Sequence, residues 1–394
     1  MGGIDDPVRY AHYDASPPGA IATTTGRTLG KRAGGASVDA DGQTTDDGLV
    51  GYGESSSFHA PLYNHETVDS CIHVQKNFIA PRVVGRDFDT PDQFRAAYAD
   101  IVGNNCAKLG PECAFWHLVA QTENTSLKQL LGGVRTEIEV GESIGKQPHV
   151  DAGLKVVEES LERYRRIKMK IMPGWDINIL TEIRRHWPDI TLAADANCAY
   201  RSDQHMELMR SLEQFDLSLL EQPFPGDDMV GHAELQRRTK TAICLDESVE
   251  SYEDARTAER LESCKVINIK PGRLGGLVES LRVYEYVVRH GIGVWCGGIF
   301  ETGIGRAYSI AFASKENCVY PADMSPYDSF FSADLVTNSF VVKPSSCIDV
   351  PDEPGLGQGH CVVGLLLVTT WMRSCGRRLA RRVARAMLVS PLVR

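Results

Sequence analysis

Apolar and polar positions alternate over Ile167-Lys168-Met169-Lys170-Ile171 before the strand breakers Pro173 and Gly174. That alternation predicts a strand with both lysines on one face. Short apolar runs ending in one charged residue then recur at Asp195, Glu221, Asp246 and Lys270, at successive spacings, counted on from Lys170, of 25, 26, 25 and 24 residues. One strand, one helix and two loops take about that much chain, since a βαβ unit needs roughly 30 residues.

The pattern gives strands at 137–140, 166–171, 191–194, 217–220, 241–245, 266–269 and 293–296, separated by amphipathic helices at 176–187, 202–215, 227–240, 251–261 and 277–290. Asp176, Ser202 and Ser251 are the expected N-caps. Repeated βα units with short connections predict a parallel sheet closed into a barrel, so that strand ends converge on one site. A helix is also expected at 306–313. Upstream, Leu49 to Glu54 reads as a first strand, and three- and four-residue apolar spacing between Thr67 and Val134 reads as a small helical subdomain. Residues 1–47 carry few large apolar groups and no sustained period, so most of that stretch is expected to be poorly ordered.

The 394-residue chain carries a net charge of −10, but residues 361–394 hold seven arginines and no acid; removing that +7 leaves −17 on residues 1–360. An acidic body excludes nucleic acid as the main partner. The eleven cysteines form no CxxC pair and read as reduced thiols. With no continuous apolar run in the first thirty residues, the expected location is the cytoplasm. Residues 361–372 are uncharged but shorter than the roughly 20 residues needed to span a bilayer. The arginine run that follows fits a basic helix at a membrane surface or partner; its plainer reading is a solvated extension.

A single strand-end carboxylate is usually a cap or surface ion pair. Asp195, Glu221 and Asp246 on neighbouring strands would repel strongly unless a cation sat among them. Oxygen-only ligation selects a hard ion, so Mg2+ is expected, with Mn2+ as the alternative. Lys170 and Lys270 would flank it. A lysine serves as a general base near neutral pH when its pKa is lowered, and Lys168 plus a divalent cation both disfavour the charged form. A base, an opposed ammonium and a carboxylate-binding metal suit removal of a proton α to a carboxylate. Snorkelling strand-end lysines explain one of the three lysines easily and all three poorly. A Schiff-base lysine has no use for three carboxylates. The Gly272–Gly276 and Gly297-Gly298 runs match no phosphate-binding motif and read as close backbone turns.

Lys168-Met169-Lys170, Pro173 to Asp176, Asp195-Ala196-Asn197, Glu221-Gln222-Pro223, Asp246-Glu247-Ser248, Asn268 to Arg273 and Trp295 to Gly303 together resemble the o-succinylbenzoate synthase and N-acylamino acid racemase family of the enolase superfamily. The resemblance is dense over 166–308 and weaker across the rest of 48–359. It implies a modified (β/α)7β TIM-like barrel with an α+β capping domain. The cap would comprise 48–135 and a return at 326–360, the barrel 136–325, and the basic tail 361–394. It further implies Mg2+ on Asp195, Glu221 and Asp246, Lys170 as base, Lys270 opposed to it, and Lys168 tuning Lys170. Asn197 and Glu247 would support these groups, and Ser143, Arg273, Gly298 and Glu301 would serve the substrate. The implied activity is syn dehydration to o-succinylbenzoate in menaquinone biosynthesis, with racemisation of N-succinyl or N-acylamino acids on the same residues. Racemisation as the main activity, and a catalytically impaired barrel that only binds, are the alternatives. The expected partner is a small carboxylate substrate, and the expected assembly a homo-oligomer. Residues 1–47 do not match the capping strand and mobile loop with which that family opens, and the tail after Gly359 is foreign to it.

Overall fold

The computed structural model describes residues 19–25, 49, 51–58, 60–61, 63–326 and 334–357. The basic tail therefore lies outside the described residues, as do most of 1–47. One element within 1–47 departs from the expectation. A strand, β1 (Gly19–Thr25), pairs antiparallel with β2 (Gly51–Ser57), so an opening strand of the cap exists where the sequence shows no alternation. Its Ile-Ala-Thr-Thr-Thr run has β-branched stock but no polar–apolar period; the partner strand supplies the order.

β2 lies on a helix at Asn105–Thr122 that is buried from Cys106 to Ala120. A helix sunk on all sides carries no amphipathic stripe. The contact is backbone to backbone: a Cβ on Gly51 would sit 2.2 Å from the Ala114 carbonyl oxygen, and one on Gly53 2.0 Å from that of Gly110. Shorter helices, including Val68–Val74 and Pro91–Ala96, pack on the same core with Phe94 stacked on Phe115 at 4.6 Å.

The barrel strands are β3 (Glu137–Ile144), β4 (Arg166–Lys170), β5 (Thr191–Asp195), β6 (Leu220–Glu221), β7 (Ile243–Leu245), β8 (Val266–Ile269), β9 (Gly293–Cys296) and β10 (Ala322–Asp323). They pair in parallel in chain order, and β10 returns to pair with β3. The ring closes where Val319 N–H donates to the Val294 carbonyl at 3.1 Å. A last strand, β11 (Cys347–Asp349), runs antiparallel to the start of β3.

Ile167 and Met169 turn outward into an apolar layer with Ile179, Leu180 and Ile183 of the helix Ile177–His186. Each such side chain contributes about 1.5–3 kcal/mol on burial. Ala193, Leu219, Cys244, Val266 and Trp295 form a separate interior cluster, the floor beneath the charged strand ends. Asp176 and Ser251 cap their helices as expected, accepting from Ile177 N–H and Asp254 N–H. Ser202 does not cap: Arg201 takes the N-cap position, and the Ser202 hydroxyl donates to Asp228 at 2.5 Å. The helix expected at 306–313 starts earlier, at Gly303, with Thr302 as its cap. Among the described residues no helix is long and apolar enough to cross a membrane, and every described cysteine is free.

Candidate active site

Strand register sets the height of each group. Lys170 pairs with Asp195, and Asp195 with Glu221, so these three ends share one layer. Lys168, two residues earlier on the same face, sits one layer lower and aligns with Ala193 and Ser143. Lys270 follows β8, four strands from β4 in an eight-stranded ring, so Lys170 and Lys270 stand on opposite sides of the mouth.

The lysines are held by carboxylates. Lys168 Nζ lies 3.0 Å from Asp195 Oδ2, 2.7 Å from Glu221 Oε2 and 2.5 Å from Asp323 Oδ2. It also lies 4.9 Å from the centre of a Trp295 ring. Lys170 donates to Asp195 and to Asn197 Oδ1 and keeps 29% of its side chain in solvent, against 3% for Lys168. Lys270 donates to Asp246 Oδ2 at 2.6 Å and to Tyr63 Oη at 3.2 Å.

Burial opposes the charged form of Lys168, but Asp323, Glu221 and Asp195 outweigh it and hold the ammonium well above its usual pKa. Asp246, ahead of Tyr63 and Glu221, does the same for Lys270. Against the cost of burial, Lys170 and Lys168 keep the Asp195 carboxyl well below the usual range. Lys270 and Arg273 likewise lower the Asp246 carboxyl against burial. Burial and the neighbouring Asp195 charge push Glu221 up to about 8. Burial, then Asp246 and Asp195, push Glu247 up to about 7.

The remaining anticipated residues divide. Asn197 bridges the ring, its Nδ2 donating to Glu247 Oε1 at 2.9 Å, from a backbone at φ 40°. That left-handed conformation costs of order 1–3 kcal/mol and persists only where contacts over-determine it. Ser143 is half-buried on β3 beside Lys168. Arg273 is 3% exposed and held against the strand ends, donating to Asp246, to Val249 O at 2.8 Å and to Asn268 O. Gly298 is where Arg306 and the Asp323 carbonyl crowd in, each 2.6 Å from a notional Cβ. Glu301 is turned to Arg306, 3.1 Å away.

Sequence reasoning missed four groups. Tyr63 comes from a cap loop and touches Lys270. Asp323 ends the eighth strand, 27 residues beyond Cys296, and was reachable by the same spacing rule had an eighth strand been sought. Asn268 donates to Glu221 Oε1 at 2.7 Å. Gln222, also at positive φ, accepts from Asp246 N–H at 2.9 Å and Ser248 N–H at 3.2 Å, which pins the Asp246 strand end.

Asp195, Glu221 and Asp246 offer hard oxygen donors suited to a small divalent ion. One cationic nitrogen, Lys168 Nζ, already bridges oxygens of Asp195 and Glu221, so those two are placed to share a cation. Glu247 leaves a buried Oε2 without a hydrogen-bond partner. As placed, with lysines against the carboxylates, no three His, Cys, Asp or Glu side chains form a metal cage among the described residues.

Residues 154–359 match the family described as Enolase C-terminal domain-like, and residues 42–132 the Mandelate racemase / muconate lactonizing enzyme, N-terminal domain. The chain belongs to the enolase superfamily. The o-succinylbenzoate synthase of Geobacillus kaustophilus is 44% identical over 312 residues, 79% of this chain and 83% of that one. The N-succinylamino acid racemase of Thermus thermophilus is 42% identical over 328 residues, 83% of this chain and 88% of that one. A crystal structure of an enolase-superfamily member from Listeria innocua superposes with a TM-score of 0.76 at 38% identity, covering 80% of this chain and 84% of that one. This enolase-superfamily chain thus falls among o-succinylbenzoate synthases and N-succinylamino acid racemases.

Proposed function

We propose that this enzyme removes a proton α to a carboxylate in a Mg2+-dependent reaction, and that its main activity is the syn dehydration that forms o-succinylbenzoate, a step of menaquinone biosynthesis in the cytoplasm. The observation that carries the reading is the opposition of Lys170 and Lys270 across a ring containing Asp195, Glu221 and Asp246. Magnesium bound by those three carboxylates would offset negative charge gathering on the substrate's carboxylate oxygens.

The rest falls to the chain's own side chains. Lys170, the more exposed lysine of its strand, takes the α-proton on Nζ. In a syn elimination the C–O bond breaks on the same face, and the Lys170 ammonium returns that proton to the departing hydroxide, which leaves as water. Lys270 remains an ammonium on the opposite face and stabilises developing negative charge there. Asn197 and Gln222 keep the strand ends in place, and Tyr63 contacts Lys270 from the cap side.

The same opposition favours racemisation of N-succinylamino acids as a second activity, since one lysine takes the proton and the other delivers one to the far face. The test is a paired assay. With the cyclohexene-carboxylate precursor and Mg2+, water loss to o-succinylbenzoate is expected; with an N-succinylamino acid in D2O, α-deuterium incorporation is expected. A Lys170→Ala variant matching the wild type on the precursor would exclude the assigned base, and no turnover of either substrate would leave a barrel that only binds.

A further inference from the structure

The ammonium of Lys168 presents a difficulty for any cation at the strand ends. It sits 2.7–3.0 Å from oxygens of Glu221 and Asp195, two of the carboxylates that would hold a metal. Like charges at that range repel strongly in a buried site. Something must draw Lys168 aside.

We propose that Asp323 is a positioning residue that holds Lys168 against the eighth strand and so frees Asp195 and Glu221 for a divalent ion. The proposal rests on the reading that Asp195, Glu221 and Asp246 bind Mg2+. Of the three carboxylates touching Lys168, Asp323 alone stands outside that set, and its 2.5 Å contact is the shortest of the three.

Asp323 is itself fixed. Its other oxygen, Oδ1, accepts from Arg166 Nη2 at 2.6 Å, and the same nitrogen donates to the Pro321 carbonyl at 2.7 Å. The Arg166 guanidinium lies 5.5 Å and the Lys168 ammonium 4.9 Å from Trp295 ring centres, so both cations rest on the barrel floor. Side-chain exposures of 13% for Asp323, 5% for Arg166 and 3% for Lys168 place this clamp out of bulk water, where an ion pair is strong and its loss is felt. Arg166 donates to Asp323 from β4, the strand that also carries Lys168, so the clamp ties the second barrel strand to the eighth across β3. A purely structural ion pair would do this much; control of Lys168 would show in metal affinity.

The test is a double-mutant cycle read by calorimetric titration of the full chain with Mg2+, without substrate. In Asp323→Asn, Lys168 is expected to fall back onto Asp195 and Glu221 and weaken Mg2+ binding by about tenfold or more, the scale of coupling between contacting charged groups. Lys168→Met should bind at least as tightly as wild type. Adding Asp323→Asn to Lys168→Met should then change the affinity less than about twofold, since the group Asp323 restrains is gone. Equal losses in both backgrounds would overturn the proposal, because Asp323 would then act on the metal directly or through its field. Unchanged affinity in Asp323→Asn would overturn it too. Should Asp323→Asn fail to fold, Arg166→Met loosens the same clamp, and its loss of affinity must likewise vanish with Lys168→Met. Wild-type protein that binds no Mg2+, or binding insensitive to Asp246→Asn, would overturn the metal reading itself.

Discussion

The proposed two-lysine scheme gives the lysines separable tasks. If Lys170 and Lys270 each serve one face, Lys270→Ala should still exchange the α-proton of the N-succinylamino acid enantiomer that faces Lys170, without inverting it. Proton NMR in D2O reads exchange and chiral chromatography reads inversion; inversion persisting in Lys270→Ala would refute the two-lysine scheme. At this scale the sequence was legible wherever a group repeats with the βα unit. Lys170, Asp195, Glu221, Asp246 and Lys270 share a strand-end position, so a spacing near 25 residues exposes them. Tyr63 carries no such signature, and Asp323 only the spacing. Tyr63 reaches Lys270 across 207 residues of chain, and Asp323 follows Pro321 and Ala322, so no apolar run announces its strand as Leu217 to Leu220 announce that of Glu221. Arg273 belongs to a legible motif, yet its contact with Asp246 depends on side-chain direction, which spacing does not encode.

Elements were legible in proportion to how one-sided their burial is. The helix Ile177–His186 buries Ile179, Leu180 and Ile183 on one face, and the sequence placed it within a residue at each end. The Asn105–Thr122 helix is buried all round and gives no stripe, so its length was hidden within a broader helical region. β2 depends on glycine for a reason visible only in three dimensions: it presses directly on that helix. Gly53→Ala would place a methyl 2.0 Å from the Gly110 carbonyl oxygen and 2.5 Å from the Ala114 nitrogen, both backbone atoms that cannot swing aside. Overpacking of this kind costs about 1–3 kcal/mol. A lower thermal midpoint is expected, measured by circular dichroism, with Gly145→Ala, where nothing lies within 4 Å of the added carbon, as the neutral comparison. Equal midpoints would show that the strand and helix slide apart at little cost.

Across the whole molecule, the cap is joined to the barrel through two buried glutamates. Glu54 of β2 accepts from Thr302 N–H at 3.0 Å, from the Thr302 hydroxyl at 2.6 Å and from Gly305 N–H at 2.8 Å, at the N-terminus of the helix Gly303–Ala313. Glu112 of the cap helix accepts from Val278 N–H at 2.8 Å, at the start of the helix Leu277–Arg289, and pairs with Arg95 at 3.4 Å. Helix N-termini favour a negative charge, but burial prevails and pushes both carboxyls up to about 7, with Glu301 adding to the rise at Glu54. An unfolded glutamate loses its proton near 4.5. Between about 4.5 and 7 the folded chain therefore holds more protons than the unfolded one, and stability from these groups falls as pH rises through that window. For Glu54 the change amounts to about 3 kcal/mol as an upper figure. Glu54→Gln keeps an acceptor and a donor at the same place but cannot ionise, so it mimics the protonated side chain. Urea unfolding of wild type and variant at pH 5 and pH 8 measures the difference: the variant should gain on the wild type as pH rises, by up to about 3 kcal/mol. A gap between them that stays constant, or moves toward the wild type with rising pH, would mean that the helix terminus outweighs burial and that Glu54 is ionised throughout. In that case the cap is held to the barrel by a fixed charge, and the pH dependence of the interface must lie with Glu112.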